Sequence, residues 1–360
     1  MAAKRILVTG AAGSPGVNFI QSLQEAPEKI DIIAVDCNSY HLQWVNVKKR
    51  FLVPMCDHPE YIDCLNDIIE REGVDMVHPQ PDVEVRAIGE NRHRLMARTL
   101  LPSQGSIRIL QDKNLSGQIW LKAGIRQNPT MPVAGWDDLV AAASSIGMPF
   151  WMRATQGAGA RGSTLVENLE TAYHWLRYWR ARGSDWQFIA EEYLPGRDYA
   201  WQSLWMNGRL ITSQGRERLE YIYPFLAPSG RTGTPTVART VHNEEVNEIA
   251  TRCVLAVDPH ATGIFSVDLR ENADGHPIPT EINAGRFFTT SLFFTRAGLN
   301  LPHLYLKLAF CEPYKEYPAY NPLPEGLHWI RHIDCVAALV PDEALLQEAS
   351  WSPSTHAVAA

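Results

Sequence analysis

The residues best placed to do chemistry lie between Gly263 and Phe288, in the run GIFSVDLRENADGHPIPTEINAGRFF. Two apolar-rich segments, Ile264 to Leu269 and Pro277 to Asn283, flank Asn272-Ala273-Asp274-Gly275, and Asp-Gly between such segments predicts a β-hairpin. With Asp274 and Gly275 as a two-residue turn, paired positions sum to a constant. Asp268 then stands opposite Glu281, and Asn283 follows two residues later on the same face. Like charges directly opposite on a sheet repel, so two carboxylates and an amide gathered this way require a cation. All-oxygen ligands with few residues per ion suit Mg²⁺ held partly by phosphate. An ordinary hairpin with its acids in water, its register moved by a longer loop, satisfies the same residues, and the sequence leaves both readings open.

The elements that must position these groups come from a chain of 360 residues, 45% hydrophobic, long enough for two or three compact units. A net charge of -7 gives no general attraction to nucleic acid or an anionic membrane, so neither is an expected partner, and anionic ligands need local clusters of cations. The six cysteines contain no CxxC pair, and no run approaches the ~18 apolar residues of a membrane span. The expected location is the cytoplasm.

Arg5 to Thr9 reads as a strand, Gly10-Ala-Ala-Gly13-Ser-Pro-Gly16 as a glycine turn and the residues through Leu23 as a helix, the opening of a doubly wound sheet. Asp31 to Val35 ends in Asp36, where a dinucleotide fold holds a ribose, and Met76-Val77-His78 gives a third strand. The spacing GxxGxxG suits a short-chain dehydrogenase, but no Tyr-x-x-x-Lys pair accompanies it. A turn needed only for tight strand-to-helix packing explains the glycines as well.

Past Leu101 the pattern changes. Asp112-Lys113 opens a helix closed by Gly124, and Met148 to Arg153 is a strand that ends in a cation. The loop Ala154 to Ser163 follows, with Gly157, Gly159 and Gly162 able to lie close over phosphates and donate N–H groups. Glu170 to Arg182 reads as an amphipathic helix that buries its aromatics. Phe188 to Tyr193 and Tyr199 to Met206 are strands, Asn207-Gly208 turns the chain, and Leu210 to Arg218 returns with Arg216 and Arg218 on one face.

The order of these pieces resembles the ATP-grasp superfamily, nearest its carbamoyl-phosphate-synthase-like carboxylate–amine ligases, over nearly the whole chain. The resemblance implies an α/β and α+β architecture: a Rossmann-like pre-ATP-grasp domain at 1–110, a small subdomain with the glycine loop at 111–190, a C-terminal subdomain with the metal hairpin at 191–345, and a disordered tail at 346–360. It implies that Lys113 and Arg153 contact ATP phosphates under the loop carrying Gly157, Gly159, Gly162 and Ser163. Glu191, Glu192 and Leu194 stand at the adenine hinge, Asp198 at the ribose, and Asp268, Glu281 and Asn283 at Mg²⁺, or Mn²⁺ in its place. The family's Asn-Pro-Arg is here Asn283-Ala-Gly-Arg286, its arginine moved by one residue. Arg153 and Arg286 are the expected catalytic cations, and Arg216, Arg218, Arg231 and Arg286 the expected anchors of the acid substrate. The implied activity is ATP-dependent joining of a carboxylic acid to an amine through an acyl phosphate. An NAD(P)-dependent oxidoreductase and an ATP-binding protein without catalysis are the other classes to separate from it. A homodimer is the general default.

Overall fold

The computed structural model describes residues 3–155, 162–226, 230, 233–333 and 338–344. A parallel sheet opens the chain, with β1 (Lys4–Thr9), β2 (Ile30–Asp36), β3 (Lys49–Leu52) and β4 (Met76–Pro79) in the order β3-β2-β1-β4. Helices α1 (Ser14–Gln24), α2 (Tyr61–Glu72), α3 (Asp82–Glu90) and α4 (Gln104–Leu110) accompany it. Unbroken apolar runs such as Ile6-Leu7-Val8 and Ile32 to Val35 suit strands covered on both faces, and all of these residues are buried.

The glycine turn after β1 is built for packing. A Cβ added at Gly16 would lie 2.6 Å from the Gly10 carbonyl oxygen and 2.7 Å from that of Ala11, so only glycine lets α1 sit on the turn. Gly10 itself has φ +55° and faces the Pro81 ring. The Asp36 carboxylate is buried and accepts from the N–H groups of Ala12 (3.0 Å) and Asn38 (2.9 Å), so it ties the turn to β2 instead of standing open to a ribose. Gly16→Ala is therefore expected to cost about 1–3 kcal/mol of stability through overpacking against backbone, read as a lowered urea midpoint. An unchanged midpoint would mean the turn has slack.

Next, α5 (Lys113–Lys122) leads to a second sheet, antiparallel, with the order β5-β8-β6-β7. Its strands are β5 (Thr130–Val133), β6 (Phe150–Ala154), β7 (Thr164–Val166) and β8 (Phe188–Glu192), covered by α6 (Trp136–Ile146) and α7 (Leu169–Ala181). Strand β8 lies wholly in this sheet, so the expected boundary at 190/191 falls inside a strand, and the passage to the third sheet runs from Glu192 to Asp198. Helix α7 fully buries Ala172 and Leu176, whereas Tyr178 is exposed and Trp175 and Trp179 pack edge to face; its aromatics flank the core more than they fill it.

The third sheet is antiparallel, in the order β13-β12-β9-β10-β11-β14-β15. The strands are β9 (Asp198–Met206), β10 (Arg209–Tyr221), β11 (Pro235–Val241), β12 (Gly263–Glu271), β13 (Pro277–Ala284), β14 (Leu327–Ile330) and β15 (Ala338–Pro341). Helices α8 (Glu244–Val257), α9 (Ser291–Arg296) and α10 (Leu301–Ala309) complete the chain. Asn207 (φ 51°) and Gly208 (φ 78°) are both left-handed, as the tight turn between β9 and β10 demands. One face of this sheet places Trp201, Trp205, Phe265 and Val267 in a core with α8. Both indoles find acceptors, Asn247 Oδ1 at 2.9 Å and Ser203 Oγ at 2.8 Å. The other face meets the N-terminal layer, where Leu204, Ile264, Phe287 and Tyr305 share a core with Ile6, Val8 and Phe19. Residues 346–360, expected to be a disordered tail, lie outside the described residues.

Candidate functional site

Strand alternation assembles one polar face across the third sheet. The pairing runs Glu281–Asp268–Ala200–Arg216 in one row, with Asp198 between Arg270 and Arg218 in the next, and Asn283–Ser266–Gln202–Gln214 on the other side. Directly paired residues of neighbouring strands share a face, so the acids and arginines converge from strands far apart in sequence.

The expected pairing of Asp268 with Glu281 is present, by a different route. The turn has three residues, Ala273 to Gly275, with Gly275 at φ +84° and Asn272 N–H bonded to the His276 carbonyl at 3.0 Å. That alone shifts the register by one. A bulge at Thr280, between the Leu269–Pro279 and Asp268–Glu281 pairs, shifts it back. The Thr280 hydroxyl bonds the Asp268 carbonyl at 3.1 Å across the bulge. Pro277 and Pro279 are tolerated because β13 is the edge strand.

Lys113 is the first residue of α5, whose N-cap Asp112 accepts from Asn114 and Leu115 N–H at 3.0 Å each. Its ammonium meets Glu281 Oε2 at 3.1 Å. In β6, Phe150, Met152 and Ala154 enter the core, which turns Trp151 and Arg153 to the other side. Arg153 and Glu191 are diagonal neighbours on β6 and β8 and form a two-point ion pair at 2.6 and 2.8 Å. Arg218 bridges Asp198 (2.8 Å) and Asp268 (2.7 Å), and the Tyr221 hydroxyl donates to Asp198 at 2.7 Å. Arg286 reaches Asn283 Oδ1 and, across the layers, Asp82 at the start of α3. Asp198, expected at a ribose, is thus already engaged by Arg218 and Tyr221.

These groups surround a cavity of about 860 Å³ between the glycine turn, the second sheet and the polar face. Lys113, Arg153, Ser163, Glu191, Glu192, Leu194, Asp198, Arg216, Arg218, Asp268, Glu281, Asn283 and Arg286 all border it. Gly162, with φ +76°, packs on Trp186 beside Ser163. Gly157, Gly159 and Arg231 lie outside the described residues. Among the neighbours that escaped the sequence reading are Gln80, Asp82, Arg270 and Thr280. Arg270 follows Asp268 by two residues and was findable by alternation, whereas nothing local links Asp82 to Arg286, 204 positions away.

The two hairpin carboxylates titrate in opposite senses. Lys113, and then Arg153, hold Glu281 well below the usual carboxylate range. Burial raises Asp268, and Arg218 opposes that rise without cancelling it. Asp268, Glu281 and Asn283 each contact a cationic side chain, Arg218, Lys113 and Arg286 respectively. This donor set, two carboxylates and one amide oxygen, fits a hard cation that takes its remaining ligands from phosphate and water.

Residues 6–100 match the family model of the PylC-like N-terminal domain. No curated protein matches the chain at the sequence level. Among solved structures, N5-carboxyaminoimidazole synthetase from Staphylococcus aureus, complexed with ADP, superposes with a TM-score of 0.69 at 14% identity, over 91% of this chain and 82% of that one. L-amino acid ligase from Bacillus licheniformis gives 0.67 at 14%, over 91% and 79%. The biotin carboxylase domain dimer of Hydrogenobacter thermophilus 2-oxoglutarate carboxylase, with MgADP, ADP and bicarbonate, gives 0.66 at 15%, over 91% and 74%. At such identities the likeness is one of fold.

Proposed function

We propose, from the premise that the chain has the ATP-grasp fold with a PylC-like N-terminal unit, that it is an ATP-dependent ligase joining a carboxylic acid to an amine with release of ADP and phosphate. The observation that carries the reading is the convergence of Lys113, Arg153, Asp268, Glu281 and Asn283, drawn from two sheets and a helix, on one cavity. The fold neighbours include a synthetase crystallised with ADP, an L-amino acid ligase, and a carboxylase domain crystallised with MgADP and bicarbonate, which supports nucleotide in this cavity.

In this reading Glu192, Tyr193 and Leu194, on the passage between the second and third sheets, line the adenine end. Lys113 and Arg153 face the phosphates, each already oriented by its carboxylate, so little reorganisation accompanies charge development. Asp268, Glu281 and Asn283 would hold Mg²⁺, which when bound lends charge stabilisation to the β- and γ-phosphate oxygens. The substrate carboxylate attacks the γ-phosphorus in line, the bond to the ADP oxygen breaks, and an acyl phosphate forms. The amine nitrogen then attacks the acyl carbon, phosphate departs, and the ammonium proton passes to solvent. Arg153 and Arg286 neutralise the oxyanions, and no covalent nucleophile of the protein is needed.

The reading predicts that MgADP or MgATP raises the melting temperature, with about 2.7 kcal/mol of stabilisation at a hundredfold excess over Kd, while NAD⁺ and NADP⁺ do nothing. Hydroxylamine added to a panel of acids with MgATP should then trap hydroxamate with ADP release. Stabilisation by a nicotinamide cofactor alone would overturn the reading, and nucleotide binding without ADP release for any acid would leave only a binding protein.

A further inference from the structure

Cations that border the cavity come with carboxylates. Lys113 has Glu281, Arg153 has Glu191, Arg218 has Asp198 and Asp268, Arg270 has Asp198, and Arg286 has Asp82. Arg216 has none among the described residues. It is 1% exposed, donates to the Thr290 hydroxyl, lies over the Phe288 ring at 4.3 Å, and leaves its Nε without a hydrogen-bond partner. Arg331 is near enough to act on its charge. That side chain donates to the carbonyls of Pro235 (3.1 Å) and Thr289 (2.9 Å), leaves one terminal nitrogen without a partner, and also has no carboxylate among the described residues. Pro235 and Thr289 form cavity wall, so both guanidiniums belong to the same end of the site.

A buried guanidinium without an anion is costly, and two close enough to repel are costlier. Burial first, and then Arg218, pushes Arg216 down to about 9; the charge of Asp268, which makes no ion pair with it, opposes this and Arg331 adds to it. The arrangement is stable in function only if something negative enters. The place for that anion is at the opposite end of the polar row from Lys113. Arg216 ends the row Glu281–Asp268–Ala200–Arg216, three strand spacings or about 14 Å of backbone from Glu281, where Lys113 sits. Phe288, whose ring lies under Arg216, and Thr289 line the cavity at this end.

We propose that Arg216, backed by Arg331, is a subsite for an anionic group of the substrate, carboxylate or phosphate, other than the carboxylate that is activated; the word substrate rests on the ligase reading above. The acid or its amine partner therefore carries a second negative group. Arg218 and Arg286, by contrast, already carry carboxylate partners of their own.

The test is calorimetric titration of orthophosphate, and separately succinate, into protein saturated with Mg²⁺ and a non-hydrolysable ATP analogue, which fills the γ-phosphate position. At least one anion should bind the wild type. Arg216→Met should weaken that anion roughly 10- to 100-fold, the worth of a charge-assisted hydrogen-bond set, with analogue affinity unchanged. Arg216→Lys should keep part of it, and carries the test if the methionine variant does not fold. Preference for phosphate or for succinate tells which group the subsite takes. Failure of the wild type to bind either anion, or equal binding by the variants and the wild type, overturns the subsite. If the analogue itself fails to bind, the ligase reading falls, and the same titrations on nucleotide-free protein still decide the subsite.

Discussion

Glu281→Gln is expected to reduce ADP release roughly a thousandfold or more, about 4 kcal/mol of lost transition-state stabilisation, while the protein melts within a few degrees of the wild type. The amide keeps the size of the side chain and an oxygen for Lys113, 3.1 Å away, so the wall of the cavity stays filled. What disappears is the charge. Glu281 is the carboxylate held ionised by Lys113 and Arg153, whereas burial raises its neighbour Asp268, so Glu281 is the dependable anion of the pair. Without it, Lys113 and Arg153 face the cavity with one counter-charge fewer, and on the proposed reading a divalent cation would lose one carboxylate ligand. MgADP affinity should weaken, and metal-free ADP affinity should hold or rise. Full turnover in the variant would remove Glu281 from the metal site.

The second large effect concerns stability. Glu84 of α3 is buried beside Thr9, whose hydroxyl donates to it, and close to Asp36. Burial, opposed by Thr9 and reinforced by Asp36, raises it from 4.5 to about 7. The folded chain therefore holds this proton more tightly than the unfolded chain. Its contribution is fully present below the unfolded value of 4.5 and is lost as pH rises through about 7. The swing approaches about 3 kcal/mol by about pH 8. Glu84→Gln, neutral throughout and still able to accept from Thr9, should be more stable than the wild type at about pH 8 and no better at about pH 4.5. His78 acts in the opposite direction, since burial pushes it down to about 3 and charging it disfavours the fold in acid. Both proteins share that term, so the difference between their urea midpoints isolates Glu84. Parallel pH profiles would show that Glu84 is already solvated.

The same residue bears on the N-terminal unit. Thr9, Asp36 and Glu84 meet where a dinucleotide fold would keep room for a ribose, and here Asp36 already binds two backbone N–H groups. The glycine turn consequently serves strand-to-helix packing and borders the common cavity through Gly10, Gly13 and Pro15.

The sequence by itself determined the local matters. Period-two alternation placed Asp268, Glu281 and Asn283 on one face of their hairpin and Arg216 beside Arg218 on one face of their own strand; Asp112 capped the helix that presents Lys113; Asn207-Gly208 made its turn. Such features depend on dihedral preferences within a few residues, which residue types record directly. Even there, the hairpin register came out as expected because a longer turn and a bulge cancel, and no residue-type rule foretold the pair. Tertiary structure alone decided which charges meet. Five arginines, 153, 216, 218, 270 and 286, look alike in the chain, yet four face carboxylates and Arg216 faces a ring and a hydroxyl. Asp82 reaches Arg286 only because two layers pack, and Glu84 titrates high only because α3 seals it from water. Coulomb energy and desolvation depend on separations between residues remote in the chain, and those distances exist only once the layers have packed.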